Sequence, residues 1–214
     1  MADETSSDTS DARDKGTESP SVGETLTESY ERLRHSTDSA ELSDVARAPL
    51  PDRSDAAAFS RATSLLEAVA GNKNTSVEDR VFLASTMPFP NILVKLSEDP
   101  EPSVRREVAK NADDKNWLAG RLTKDEDDSV RTAALLNPRT SWKMRLEGAQ
   151  DPRTAPEALE FLGGLGVSSE ENAPVVLASM VRRSVALNPN TPQEVVERLK
   201  DDAEIQVQHA AQSR

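Results

Sequence analysis

Leu96-Ser97-Glu98-Asp99, followed by Val104-Arg105 and Asn111, returns 26 residues later as Leu122-Thr123-Lys124-Asp125, Val130-Arg131 and Asn137. A further copy reads Val181-Arg182, Asn188, Leu199 and Asp202, and runs on to Val207. A fixed period in this range is the mark of stacked helical units, each of which buries its apolar face against its neighbours.

The 51 residues between Val130 and Val181 hold room for two units, the second of them degraded. Its remnant, Asp151-Pro152-Arg153-Thr154-Ala155-Pro156-Glu157-Ala158-Leu159, echoes Asn188-Pro189-Asn190-Thr191-Pro192-Gln193-Glu194-Val195-Val196. A Gly/Ser-rich interruption then occupies residues 163–172. It reads as an insertion at a turn between helices, because no strand precedes the glycines as a dinucleotide-binding loop requires. Thr154 and Thr191 each precede a glutamate, Glu157 and Glu194, at the capping-box spacing. Pro192 then falls at a first helical position, where its missing N–H is no loss. Upstream, Phe59, Ala62, Leu65, Leu66 and Val69 share one helical face before Gly71-Asn72, so the folded region is expected to start at residue 56.

The run Val181-Arg182-x-x-Val185-Ala186-x-Asn188-Pro189-x-Thr191-Pro192, followed by Leu199-x-x-Asp202, resembles the bacterial leucine-rich repeat variant family. The resemblance covers roughly residues 77–214 and implies alternating α and 3₁₀ helices stacked into a superhelix without strands. The expected fold is therefore all-α, a short right-handed α-solenoid over residues 56–214. A cysteine-bound iron–sulfur cluster associated with that family has no ligands here, since the chain has no cysteine.

Residues 1–55 contain 16 Ser or Thr and a single aromatic, Tyr30, and their fourteen acids against six bases give −8 of the chain's net −12. Such a segment buries too little apolar surface to offset chain entropy, and it is expected to be a disordered acidic tail. Leu26, Tyr30 and Leu33 form one helically spaced island within it, read as a transient helix or as a segment that folds on a partner. The start Met1-Ala2-Asp3-Glu4 has no signal-peptide character and no window reaches a membrane-spanning length, so a cytoplasmic protein is expected.

One acid and one base recur at fixed phase, as Asp99 with Arg105 and Asp125 with Arg131. A ladder of such pairs linking neighbouring units is the structural reading, and a row of anion ligands the functional one. Gln208 takes the arginine's place in the last copy, as a terminal cap would. The run Asp125-Glu126-Asp127-Asp128 lacks the spacing of a calcium loop. With only His35 and His209, no histidine-based acid–base pair or metal cluster can be assembled, and no catalytic motif is present.

The expected function is accordingly a non-catalytic protein–protein adaptor or scaffold without cofactor, metal or membrane contact. Trp117 and Trp142 occupy nearly equivalent places and are either core anchors or a binding hot spot. Arg106 and Arg183 are the bases expected on the binding surface. Net acidity argues against nucleic acid, whose binding is dominated by cations on phosphate. The rival reading, a nucleic-acid-associated or HEAT-like base-repair protein, needs a continuous positive stripe, which Thr132 interrupts.

Overall fold

A computed structural model describes residues 23–113 and 117–214, and these form thirteen α-helices. Helix α1 (Leu26–His35) and α2 (Ser39–Arg47) precede the 15-residue α3 (Ala56–Ala70). Then come α4 (Val77–Thr86), the short α5 (Pro90–Leu96), α6 (Pro102–Lys110), the short α7 (Leu118–Leu122) and α8 (Asp128–Leu136). The chain continues with α9 (Trp142–Gln150), short α10 (Pro156–Leu162), α11 (Val175–Leu187), short α12 (Gln193–Leu199) and α13 (Ile205–Gln212). Long helices pack on long ones, α1 on α3, α4 on α6, α6 on α8, α9 on α11 and α11 on α13, with the short helices forming a second layer. The all-helical repeat fold thus stands. The alternation is of long and short α-helices, however, and among the described residues there is no 3₁₀ segment.

The folded body also begins earlier than residue 56. Leu33, Leu42 and Ala46 are fully buried in the same core as Leu66 and Val69. Thr25 caps α1 in a reciprocal capping box with Glu28, and Asp38 caps α2. Arg61 of α3 donates to the Ser29 hydroxyl at 2.6 Å. The tail expectation therefore fails for residues 26–47, because α3 supplies the apolar partner that a ten-residue helix lacks in isolation. For residues 1–22 it lies outside the described residues.

Two series of side chains tie each unit to the one before it. The asparagine that ends a long helix sends its amide back to two carbonyls at the end of the preceding long helix. Asn72 donates to Leu33 and Ser36, Asn111 to Ala84 and Met87, Asn137 to Ala109 and Asn111, and Asn188 to Ala149 and Asp151, all at 2.7–3.1 Å. These bonds satisfy carbonyls that a helix end leaves without partners. The buried hydroxyls of Thr75, Thr140 and Thr191, three residues after Asn72, Asn137 and Asn188, and of Thr154, three after Asp151, each donate to the carbonyl six residues earlier. Thr154 and Thr191 therefore close the preceding helix rather than cap the next. The N-cap residues of α10 and α12 are Ala155 and Pro192, neither with a side-chain cap, so the capping-box reading is corrected and Pro192 lies just outside the helix.

Candidate functional site

The buried arginines set the frame of the surface. Arg80, Arg105 and Arg182 each form a two-pronged ion pair with the aspartate 19 or 20 residues ahead, at Asp99, Asp125 and Asp202. The contacts run from 2.7 to 3.3 Å, and all three pairs are buried. The third guanidinium nitrogen turns back to a carbonyl: Arg105 to Asp99, Arg131 to Asp125, and in the last copy the Gln208 amide to Asp202. A ladder of Asp99, Arg105, Asp125 and Arg131 is thus present, but its side-chain pairs are not the ones six residues apart. Within a unit the arginine grips the aspartate's backbone, and its charge meets the next unit's carboxylate. Asp125 pulls Arg105 further toward the charged form by hydrogen bonding, more strongly than burial opposes it.

The ladder changes in the middle. Arg131 is buried, yet its carboxylate partner is the exposed Asp128 one turn earlier, and its Nε has no hydrogen-bond partner. The cause is a helix with two duties. α9 follows the Asn137-Pro138-Arg139-Thr140 turn directly, where a short helix is due, and it also packs on α11 as a long helix does. Its Arg145, 1% exposed, holds Glu170 through two bonds of 2.7 Å and lies 5.1 Å from the Trp142 ring centre and 5.9 Å from that of Phe161. Glu170 sits in the inserted loop, in the left-handed conformation at φ 43°. A non-glycine residue there is strained by an amount of order 1–3 kcal/mol, which the buried Arg145 pair offsets.

The residues after Arg105, Arg131, Arg145 and Arg182, together with His209 after Gln208, line three grooves, whereas Val81 after Arg80 packs against the first core cluster. One of about 520 Å³ includes Arg106, Lys110, Thr132 and Leu136. A second, of about 500 Å³, includes Leu146, Val176, Met180, Arg183 and Leu187, and a third of about 460 Å³ adds His209. Read in chain order the row is Arg106, Thr132, Leu146, Arg183 and His209, so it is mixed in character. Arg106 leans on Glu107 at 3.5 Å, whereas Arg183 is exposed and makes no ion pair among the described residues. Trp117 and Trp142 separate in role. Trp117, 64% exposed at the start of α7, is not a core anchor, while Trp142 is half-buried against the second core cluster beneath Arg145. Neither belongs to the grooves. The apolar stretch Val175–Leu177, which sequence reasoning passed over, is exposed as well. Its signal was present as three apolar residues following a Gly/Ser-rich interruption.

Among the described residues no group of His, Asp or Glu could hold a metal ion, and no helix is long and apolar enough to cross a membrane. Fold and site together define an all-helical repeat protein whose units are joined by buried ion pairs and asparagine bridges. The leucine rich repeat variant family model matches residues 181–204, the unit in which Arg182 pairs with Asp202. Comparison with curated proteins and with solved structures gives no match.

Proposed function

We propose that the chain is a non-catalytic, cytoplasmic adaptor that holds a protein partner on the face formed by the residues following the buried arginines. The observation that carries this is the makeup of the row: Arg106 and Arg183 are separated by Thr132 and Leu146, beside apolar Leu136, Met180 and Leu187. A surface with apolar patches and scattered charge suits protein recognition, where buried apolar anchors bring affinity and rim charges bring selectivity. A duplex would need cations at every step, and Asp128, Glu157 and Glu204 interrupt them further.

The test compares affinity capture from native lysate by the wild type with capture by Arg106→Glu and by Thr132→Glu. Both substitutions lie in the α6–α8 groove, at positions whose side chains hold no part of the ladder. Loss of a specific protein with unchanged helical circular dichroism supports the adaptor. A parallel titration with duplex DNA at low salt is expected to show no binding. Submicromolar, steeply salt-dependent binding there would overturn the reading in favour of a nucleic-acid protein.

A further inference from the structure

Three rungs of the ladder are built alike on the acid's side. In Asp99, Asp125 and Asp202, Oδ1 accepts the backbone amide two residues on together with an arginine Nη2, and Oδ2 accepts the same arginine's Nε. Asp151 makes the same turn, its Oδ1 accepting the Arg153 amide at 2.9 Å. It stands 20 residues after Arg131, the separation of Asp125 from Arg105 and of Asp202 from Arg182. Yet the arginine on it is a different one. Arg153 folds back over its own turn and gives Nε to Oδ1 at 3.1 Å and Nη2 to Oδ2 at 2.7 Å.

The base's side of the same rung is equally prepared. Arg131 Nη1 donates to the carbonyls of Asp125 and Glu126, just as Arg105 Nη1 donates to those of Asp99 and Pro100. In Arg105 that anchoring turns Nε and Nη2 to the next unit's acid. In Arg131 Nη2 goes to the exposed Asp128, and the buried Nε has no acceptor, an arrangement costly to a donor shut away from water. Asp151 lies within the field of this guanidinium: the Arg153 hydrogen bond leads in holding its carboxyl low, burial opposes it, and the Arg131 charge adds to it. We infer that Arg131 and Arg153 are rival partners of Asp151, and that Arg153 is a latch that keeps the middle rung open. Its pair with Asp151 is a surface one, with Arg153 61% exposed, of the kind held loosely in water, and so the latch can release. Once it does, Asp151 turns to Arg131 Nε and Nη2, and the end of α9 is tied to α8. The first core cluster ends at Ala134 of α8 and the second begins at Leu135, so this rung bridges the line where they meet. The latch thereby decides whether the half bearing the α6–α8 groove and the half bearing the α9–α11 groove are bound as one body.

The test is a double-mutant cycle between Arg131→Ala and Asp151→Asn, measured by urea titration of the full chain, once in the wild type and once with Arg153→Ala. Asparagine at 151 keeps the turn, as Asn137 and Asn188 do in theirs, but offers no second oxygen to an arginine. In the wild type the coupling between the two positions should alter the folding equilibrium constant by about twofold or less. With Arg153→Ala it should rise to about tenfold, because the rung is then made. A spectroscopic readout separates this from a general loss of stability. In Arg153→Ala the Arg131 Nε–H proton resonance, assigned by its absence in Arg131→Ala, should move downfield as the nitrogen gains an acceptor, and adding Asp151→Asn should return it. Equal coupling in the two backgrounds, or an Nε–H resonance that Arg153→Ala leaves in place, overturns the rivalry. The Arg106→Glu capture result is independent of both measurements, so the adaptor reading stands or falls separately.

Discussion

The segment from Asn72 to Asn111 and the segment from Asn137 to Asn188 pass through the same sequence of structures. Each opens with an asparagine, a threonine three residues on and a serine after it, which caps the next helix at Ser76 and Ser141. Each then presents a buried arginine, Arg80 or Arg145, a short helix, and a long helix bearing Arg105 or Arg182. The first segment links its short and long helices with residues 97–101, the second with residues 163–174. Both links deliver a carboxylate to the waiting arginine, Asp99 in one and Glu170 in the other. The fold therefore demands the acid and tolerates the length of chain that brings it. The longer link is free to carry the added apolar turn of α11.

The largest expected effect tests how far the first segment depends on what precedes it. Removing residues 1–55 strips the acceptors of Asn72 and uncovers Leu66 and Val69, and the melting temperature should fall by about ten degrees or more. An unchanged melting curve would mean that α1 and α2 are not part of the stack.

Equivalence of the two segments predicts similar losses for Arg80→Ala and Arg145→Ala, about 3–5 kcal/mol each in denaturant titration: the first strands the buried Asp99 carboxylate, and the second empties a fully buried site, removes a bond to the Asn137 carbonyl and releases the partly exposed Glu170. Arg131→Ala should cost less, about 1–2 kcal/mol, since its acid is solvated in any case. A loss at Arg145 under half that at Arg80 would show that the loop's glutamate is a poor substitute for Asp99.

A smaller effect is set by pH. Asp151 stands in the place held by asparagine in the other turns, and the Arg153 guanidinium holds its carboxyl at about 2. A carboxyl that releases its proton more readily in the folded state stabilises the fold fully above about pH 4. That contribution is lost as pH falls from about 4 to about 2, while the unfolded chain takes up the proton first. The Asp151→Asn variant should lack this part of the acid transition, worth about 1 kcal/mol after allowance for the exposure of Arg153. The smallest effect concerns the indoles. Trp117→Ala should change stability by less than about 0.5 kcal/mol, and Trp117 fluorescence should be open to an aqueous quencher that Trp142 largely escapes.

Much of this was legible in the residues. The 26-residue register from Leu96 to Asn137 gave the stacked helices, because apolar periodicity and helix-ending asparagines are local signals. The ladder residues were legible as well, but their pairing was not: Asp99 is six residues from Arg105 and nineteen from Arg80, and sequence distance favours the wrong choice. The kinship of Asn72-x-x-Thr75-Ser76 with Asn137-x-x-Thr140-Ser141 was hidden because their separation of 65 residues is not a multiple of the 26-residue period. The island Leu26, Tyr30 and Leu33 has the pattern of a helix but not the length to hold one, and the contact that decides it comes from α3. On the binding face, Arg106 and Arg183 were found from their place after the ladder arginine, whereas Val176 joins it only because α11 starts a turn early.

The asparagine bridges all point one way along the chain. Each amide reaches from a later unit to the helix end of an earlier one, so the ends of α1, α4, α6 and α9 are completed by the long helix that packs on each of them next. On the ribosome this makes the growing end of the array the frayed end. α1 gains its final partners only when Asn72 has emerged, α4 when Asn111 has, and α9 must wait for Asn188, across the whole inserted loop. The bridges are therefore completed in chain order, one asparagine at a time, and the two longest waits are equal, 39 residues from Leu33 to Asn72 and 39 from Ala149 to Asn188.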